Sequence, residues 1–285
     1  PGISSAASDV YKRQFISLLI LTSSFSSAQL AKATYTMKVS MNMDFTNNPN
    51  IPKNVVERIK KRMSEPQNFQ LFFDQTQSLY KKEEKLDSPQ GGRGGMSMRF
   101  GGGASSITHT DLANRKQTSQ QELFGKMFLV SKNMKQHKWN FTGASKQIGQ
   151  YTAYEATYVN MKAPTSFRMP FGNRAKDEEK EKKAPEKVPV TVSVWFTPDI
   201  PTPAGPASYF GLPGLVLMAQ DDNKVLVCTK VQMNIKDKIK LEAPRKGQAV
   251  TQEEFSKIRE KKAEEMRERF RNNGNRGNGN RIMNR

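Results

Sequence analysis

Along residues 35–45, YTMKVSMNMDF, apolar side chains fall on every second position: Tyr35, Met37, Val39, Met41, Met43 and Phe45. A period of two predicts a strand with one buried face. Over 53–64, KNVVERIKKRMS, the period changes. Val55, Val56, Ile59 and Met63 share one helical stripe, Pro52 suits the start and Pro66 the stop. Strand signals resume over 68–82, where Phe69, Leu71 and Phe73 alternate and Leu79-Tyr80 follow. Further strands are expected near 106–118, 125–133, 137–142 and 148–161.

From Val188 the alternation is strict through Val190, Val192, Val194 and Phe196. Residues 215–220, 221–224 and 225–235 read as strand, turn and strand, because Asp222-Asn223 tolerate the positive φ of a tight turn. Residues 251–270 read as a helix. Thr251 and Glu254 have the spacing of a capping box, and Phe255, Ile258, Met266 and Phe270 form a sparse apolar face. Most strands follow one another across short turns without strand–helix alternation, which disfavours a parallel α/β sheet. The expected fold is mainly β: a curved antiparallel sheet or open half-barrel of nine or ten strands. One or two peripheral helices and a disordered basic C-terminal tail complete it.

The breaks in pattern set the boundaries. GGRGGMSMRFGGG contains seven glycines in thirteen residues, which makes 86–105 a flexible insertion. The mixed-charge stretch FGNRAKDEEKEKKAPEK makes 162–187 a second, solvated one. The β-rich domain is expected over 29–244, a basic helix over 245–270 and a disordered tail over 271–285. The apolar run FISLLILTSSF at 15–25 follows Lys12 and Arg13 and ends in Ser26-Ser27-Ala28. That layout predicts a secretory signal peptide cleaved after Ala28, with residues 1–14 foreign to it. At that length the run is too short to span a bilayer, and no later run reaches 18 apolar residues. No Cys follows the leader directly, so a lipid anchor is not expected. The expected location is the periplasm or outer envelope.

The 285 residues carry 46 Lys+Arg against 27 Asp+Glu, a formal charge of +19. Export argues against nucleic acid as the reason for that charge. A basic surface that meets anionic lipid headgroups fits better. One Cys and two His rule out an intrachain disulfide, a four-cysteine zinc site and a three-histidine metal site. No metal or cofactor is expected. Cys228 with His109 or His137 is the one nucleophile–base combination to weigh, and Cys228 reads more readily as strand packing. Its parity is opposite to that of Val225, Val227, Thr229 and Val231.

The stretch 195–217, WFTPDIPTPAGPASYFGLPGLVL, has five prolines and three glycines between Pro198 and Gly214. Pro fixes φ and Gly permits positive φ, so the loop is stiff and sharply turned. Leu212, held between Gly211 and Pro213, is either a plug in the end of the sheet or an exposed anchor, and the plug is expected. Tyr209, Phe210, Leu212 and Leu215 are together too apolar to leave in water.

Gly205-Pro206 followed by Gly211-Leu212-Pro213-Gly214-Leu215-Val216 is similar to the signature of the GLPGLI family, secreted proteins of Bacteroidetes-type bacteria; Val216 stands where the family has Ile. Trp195-Phe196-Thr197-Pro198-Asp199-Ile200-Pro201 resembles the family's lead-in, with Trp195, Asp199 and Pro201 as its marked positions. Lys138-Trp139 with Lys146-Gln147-Ile148-Gly149-Gln150-Tyr151 resembles a second stretch; Thr152-Ala153 follow where the family often has Cys. The resemblance covers about residues 33–265 and implies a curved antiparallel sheet. The family's function is unknown.

The expected function is a periplasmic, non-enzymatic binding or envelope accessory protein. It would hold an apolar ligand or a partner segment on its curved sheet. Docking through the C-terminal helix and tail is the alternative, with an outer-membrane or other envelope protein as partner. A hydrolase or redox enzyme is the third reading.

Overall fold

The computed structural model describes residues 30–39, 64–83, 107–162, 187–222, 224–236 and 239–276, together with Asn54, Glu57 and Lys61. Twelve strands form one sheet: β1 Ala31–Val39, β2 Gln67–Phe73, β3 Gln77–Lys82, β4 Ile107–Asp111, β5 Lys116–Leu123, β6 Lys126–Asn133, β7 Asn140–Ile148, β8 Tyr151–Lys162, β9 Val188–Thr197, β10 Leu215–Asp221, β11 Lys224–Gln232 and β12 Gln248–Thr251. Helix α1, Gln252–Arg276, follows. The strand order is β12-β6-β5-β4-β3-β2-β1-β11-β10-β9-β8-β7. Two meanders, β1–β6 and β7–β11, are therefore joined along the β1–β11 seam. All neighbours are antiparallel except β12, which lies parallel to β6, so the sheet is mixed rather than wholly antiparallel.

This order dictates a strongly bent sheet. Strands β6 and β7 lie ten places apart in it. At the usual strand spacing that is ~48 Å along the sheet. Yet only residues 134–139 join them, and the seven steps from Asn133 to Asn140 reach at most ~25 Å. The two ends of the sheet must curl toward each other, as in an open barrel. Three bulges provide the bend: at Thr229 opposite Thr34/Tyr35, at Leu217 between Val216 and Met218, and over Thr142–Ala144 in β7.

Curling creates an interior, and the alternating residues fill it. Ala31, Ala33 and Tyr35 of β1, Phe69, Leu71 and Phe73 of β2, Val192, Val194 and Phe196 of β9 and Leu226 of β11 belong to one buried cluster. The Tyr35 hydroxyl donates to the Val216 carbonyl at 2.8 Å, crossing β11 to reach β10. A smaller cluster of Phe128, Val130 and Phe255 docks the start of α1 on β6, with Ile258 against it. The capping box forms: Thr251 Oγ1 accepts from the Glu254 amide at 3.2 Å, and Glu254 accepts from the Thr251 amide at 2.8 Å.

Several expectations change in detail. The strand expected at 106–118 is two strands, β4 and β5, split by a turn at Arg115, where φ is 51°. The segment 68–82 is also two strands. Asp74 Oδ1 accepts from the amides of Thr76 and Gln77, both at 2.7 Å, and turns the chain between them. The bulge at Thr229 puts Val231 on the same face as Cys228, against the simple parity of the sequence. Helix α1 runs on to Arg276, into the stretch expected as tail. Between 252 and 276 it carries eight Lys/Arg and six Glu, so it is charge-mixed rather than strongly basic. Of the helix expected at 53–64, Asn54, Glu57, Lys61 and Ser64 are described and helical. Met41, Met43, Phe45, the insertion 86–105, residues 163–186, residues 277–285 and the leader lie outside the described residues.

The fold makes α1 dependent on one ring. Replacing Phe255 by Ala removes its edge contact with Phe128 and roughly 3 kcal/mol of burial. Hydrogen exchange should then show lost protection over 252–262 while the β1 and β2 amides keep theirs.

Candidate functional site

The segment between β9 and β10 folds across the interior. Leu212 is 2% exposed, and Ile200, Ala204, Tyr209 and Leu215 join it in the main cluster. Pro206 is fully buried. Leu212 is therefore a plug. The loop is pinned by its own backbone: Gly211 N donates to Pro203 O at 2.9 Å, Tyr209 N to Pro206 O at 3.0 Å and Leu215 N to Ile200 O at 2.9 Å. Pro201, Pro203 and Pro213 face solvent, as do Asp199 and Gly211.

Each marked glycine has its own reason. Gly211 has φ of +81°, with open space beside it. A Cβ on Gly214 would lie 2.0 Å from the Thr197 carbonyl oxygen, and one on Gly205 would lie 1.5 Å from that of Tyr209. Backbone meets backbone at those two positions, so no side chain can yield.

Polar groups gather where the loop meets the sheet. Asp221, at the end of β10, forms an ion pair with Lys162 of β8 and accepts a hydrogen bond from the Tyr209 hydroxyl. Burial first, then the Asp221 charge, holds the Tyr209 phenol well above its usual range. The Tyr158 hydroxyl bonds Ser208, and burial and Asp221 push that phenol up to about 12. His137, in the β6–β7 connection, stacks on Tyr158 with centroids 4.1 Å apart, and its Nε2 lies 2.9 Å from the Ser208 carbonyl oxygen, as a donor. Trp139 packs edge-on against Tyr158 at 5.0 Å, and its buried Nε1 has no hydrogen-bond partner among the described residues. These residues clamp the loop to β8, β10 and the connection that bends the sheet. Sequence reading missed His137 and Asp221 as parts of this clamp, because nothing in their local pattern signals it.

Trp195 lies apart from the clamp. It is on the opposite face of β9, with Lys146 Nζ 3.8 Å from its ring centroid and 3.5 Å from Met218 Sδ. Thus Lys146 of one resembling stretch meets Trp195 of the other. Cys228 packs against the main cluster, and burial pushes its thiol up to about 11. Its sulfur bonds Lys230 O at 3.6 Å, while His109 Nε2 lies 3.0 Å from Gln77 Oε1. The structure brings neither histidine to the thiol. Among the described residues, no three His, Cys, Asp or Glu are grouped to hold a metal.

Two surface features remain. A cavity of about 610 Å³ lies under the 239–245 strap, lined by Leu30, Asp74, Gln77, His109, Leu241 and Arg245 among others. It is far from the motif loop in the strand order. The second feature is apolar. Among the described residues, Phe141, Tyr154, Val159, Met161 and Val188 are exposed on β7, β8 and β9; by the strand register Phe141, Tyr154 and Val188 lie on the face of Val194 and Phe196, and Val159 and Met161 on the other.

A family model described as "Protein of unknown function (Porph_ging)" matches residues 139–218, the stretch that builds β7, β8, β9, the motif loop and the start of β10. The family is associated with Bacteroidetes. No curated protein matches. Two crystal forms of PNGF-II are similar in structure. One has a TM-score of 0.47 at 13% identity, covering 81% of this chain and 33% of that one. The other has 0.46 at 12%, covering 81% and 32%. The chain thus spans about a third of the length of those structures.

The plug predicts a graded mutant series. Leu212→Ala should cost roughly 2–5 kcal/mol through the cavity it leaves. Gly211→Ala should cost about 1 kcal/mol through φ alone, and Gly214→Ala more than Gly211→Ala, because backbone must move. Chemical denaturation orders the three. The half-buried thiol, pushed up to about 11, predicts slow chemistry: at pH 8 Cys228 is protonated, and iodoacetamide should label it far more slowly than free cysteine until the chain is unfolded.

Proposed function

We propose that this chain is an exported, non-enzymatic accessory protein of the bacterial envelope that holds a partner segment on the outer face of β8 and β9. One observation carries this reading: the interior beside the motif loop is occupied by Leu212, Ile200 and Tyr209, whereas Val159 and Met161 stand exposed on the opposite face of β8. A protein that folds its aromatic and proline-rich loop inward and leaves Val159 and Met161 in water has its sticky surface outside. The reading as a GLPGLI-type protein fits the same segment, since the resembling stretches supply the plug and the clamp behind that surface. The leader pattern at 12–28 supports export. The non-enzymatic reading rests on how the candidate groups are used: Cys228 is a half-buried thiol packed against the core, and each histidine is hydrogen-bonded within the fold. No helix among the described residues is long and apolar enough to cross a membrane.

A photo-crosslinking residue in place of Met161, compared with one in place of exposed Lys116 on β5, tests this in the producing cell. A discrete adduct to an envelope protein is expected from position 161 and not from 116. Equal or absent crosslinking at both, or a chain that stays in the cytosol, overturns the reading.

A further inference from the structure

The inner face of the sheet changes character along the strand order. Over β9–β11, β1 and β2 it is apolar and filled by the plug. In the other half, one register row places Ala33, Leu71, Tyr80, Thr108, Ser119 and Val130 side by side on β1 to β6. The next row runs through Phe73, Ser78, Thr110 and Gln117. Both rows share the face of the buried Leu71 and Phe73, so β4 and β5 turn hydroxyls and amides toward the interior. Beyond them the apolar character returns, where Phe128 and Val130 take Phe255 of α1. Tyr80, packed against the main cluster, is thus one bank of a polar trough, and α1 is the other. From β3 to β6 the trough spans ~14 Å at the usual strand spacing.

Polar side chains on an inner face cost stability unless a polar group meets them. The deeper ones meet each other. Ser78, Thr110 and Gln117 are 2%, 6% and 4% exposed, and Gln117 donates to Thr110 Oγ1 at 3.1 Å. Thr108, Ser119 and Gln121 are half-buried, so solvent reaches them. Gln121 donates to Ser119 Oγ at 2.9 Å. The Ser119 proton, the Gln121 amide oxygen and the Thr108 hydroxyl are left without a hydrogen-bond partner among the described residues.

The chemistry of this floor selects its ligand. Both β4 and β5 are paired on either side, so their backbones offer nothing to an added peptide strand. Their inner positions 108, 110, 117, 119 and 121 carry no aliphatic side chain for an acyl chain and no charge for a polyanion. Lys82 on β3 and Lys132 on β6 stand beside the floor at opposite ends. What the floor presents is a set of neutral groups that donate and accept hydrogen bonds. Beside it lies an aromatic ring, Tyr80, stacked on Phe69 with centroids 5.2 Å apart. That set complements a molecule covered in hydroxyls that also has an apolar ring face. We infer that the trough over β4 and β5 binds a neutral oligosaccharide, with Thr108, Ser119 and Gln121 meeting its hydroxyls and Tyr80 flanking a sugar ring. The trough lies on other strands than Val159 and Met161 and on the opposite face, so it is independent of the β8–β9 reading.

The test is calorimetric titration of the full chain with maltohexaose, cellohexaose, mannohexaose and chitohexaose. At least one should bind, and added salt should leave its affinity unchanged. Thr108→Val, which removes a hydroxyl at nearly constant volume, and Ser119→Ala should each weaken that sugar about tenfold without moving the melting temperature. Val159→Glu, on the other face of β8, should leave it untouched. A chain in which 86–105 is replaced by a short Gly-Ser linker should bind alike, because the floor belongs to β4 and β5. No binding of any of the four sugars overturns the inference. So does full affinity in both floor variants, or binding lost with 86–105, since either places the site elsewhere. Affinity that salt abolishes, or stronger binding of polygalacturonate than of any neutral sugar, overturns the neutral class. The crosslink at position 161 stands or falls separately.

Discussion

Six residues, 134–139, must carry the chain from one end of a wide sheet to the other. Everything else in the molecule follows from that short tie. It forces the sheet to curl, and the curl turns one face of every strand into an interior. It also lays His137 and Trp139 on Tyr158, so the tie becomes part of the clamp that it makes necessary. The bulges at Thr229, Leu217 and Thr142–Ala144 sit in strands on the β7–β11 side and its seam with β1, where the bend must be accommodated.

Among the described residues no helix contributes to the main buried cluster, so the strands and the β9–β10 loop supply the side chains that fill the curl. The strands supply Tyr35, Leu71, Phe73, Val192 and Val194, and the β9–β10 loop supplies the rest. Prolines and glycines do different work there. Pro203 and Pro206 fix the path and offer carbonyls to Gly211 and Tyr209. Gly205 and Gly214 let backbone pass within a distance that no side chain tolerates. The loop is a piece of core that happens to lack regular structure. With the concave face of β1, β2 and β9–β11 used for stability, Val159 and Met161 are left exposed on the other face of β8, and the mixed-charge helix α1 is held at the opposite end of the strand order by Phe255.

The sequence made the regular parts legible where alternation coincided with burial. The strands around Tyr35, Phe69–Phe73 and Val192–Phe196, the hairpin turn at Asp222 and the Thr251–Glu254 box all follow from local chemistry. Strand β5, QTSQQEL, has too few apolar residues to show a period, so it merged with β4. Strand β12 pairs over four residues with a strand more than a hundred positions earlier, and nothing local announces such a partner. A bulge shifts parity by one residue, which is why Val231 changed face. The alternation of Val188–Phe196 is uniform, yet Val192 is buried and Val188 is not. Where the core ends along a strand depends on the lengths of its neighbours, which a strand's own sequence does not contain. The motif loop was legible as rigid and Leu212 as a plug, but the clamp joins residues from four separate segments and could be seen only in three dimensions.

The central claim is that the β9–β10 loop is core and not a mobile binding loop. Hydrogen exchange on the full chain reads this at the amides of Tyr209, Gly211 and Leu215, which bond Pro206, Pro203 and Ile200. If the loop fills the interior, these three exchange only when the whole sheet opens, with the same free energy as the amides of β1 and β2 and the same response to denaturant. If they exchange through a local opening of much lower free energy while β1 and β2 stay protected, the loop is a lid over the sheet, and the placement of binding on the outer surface is wrong.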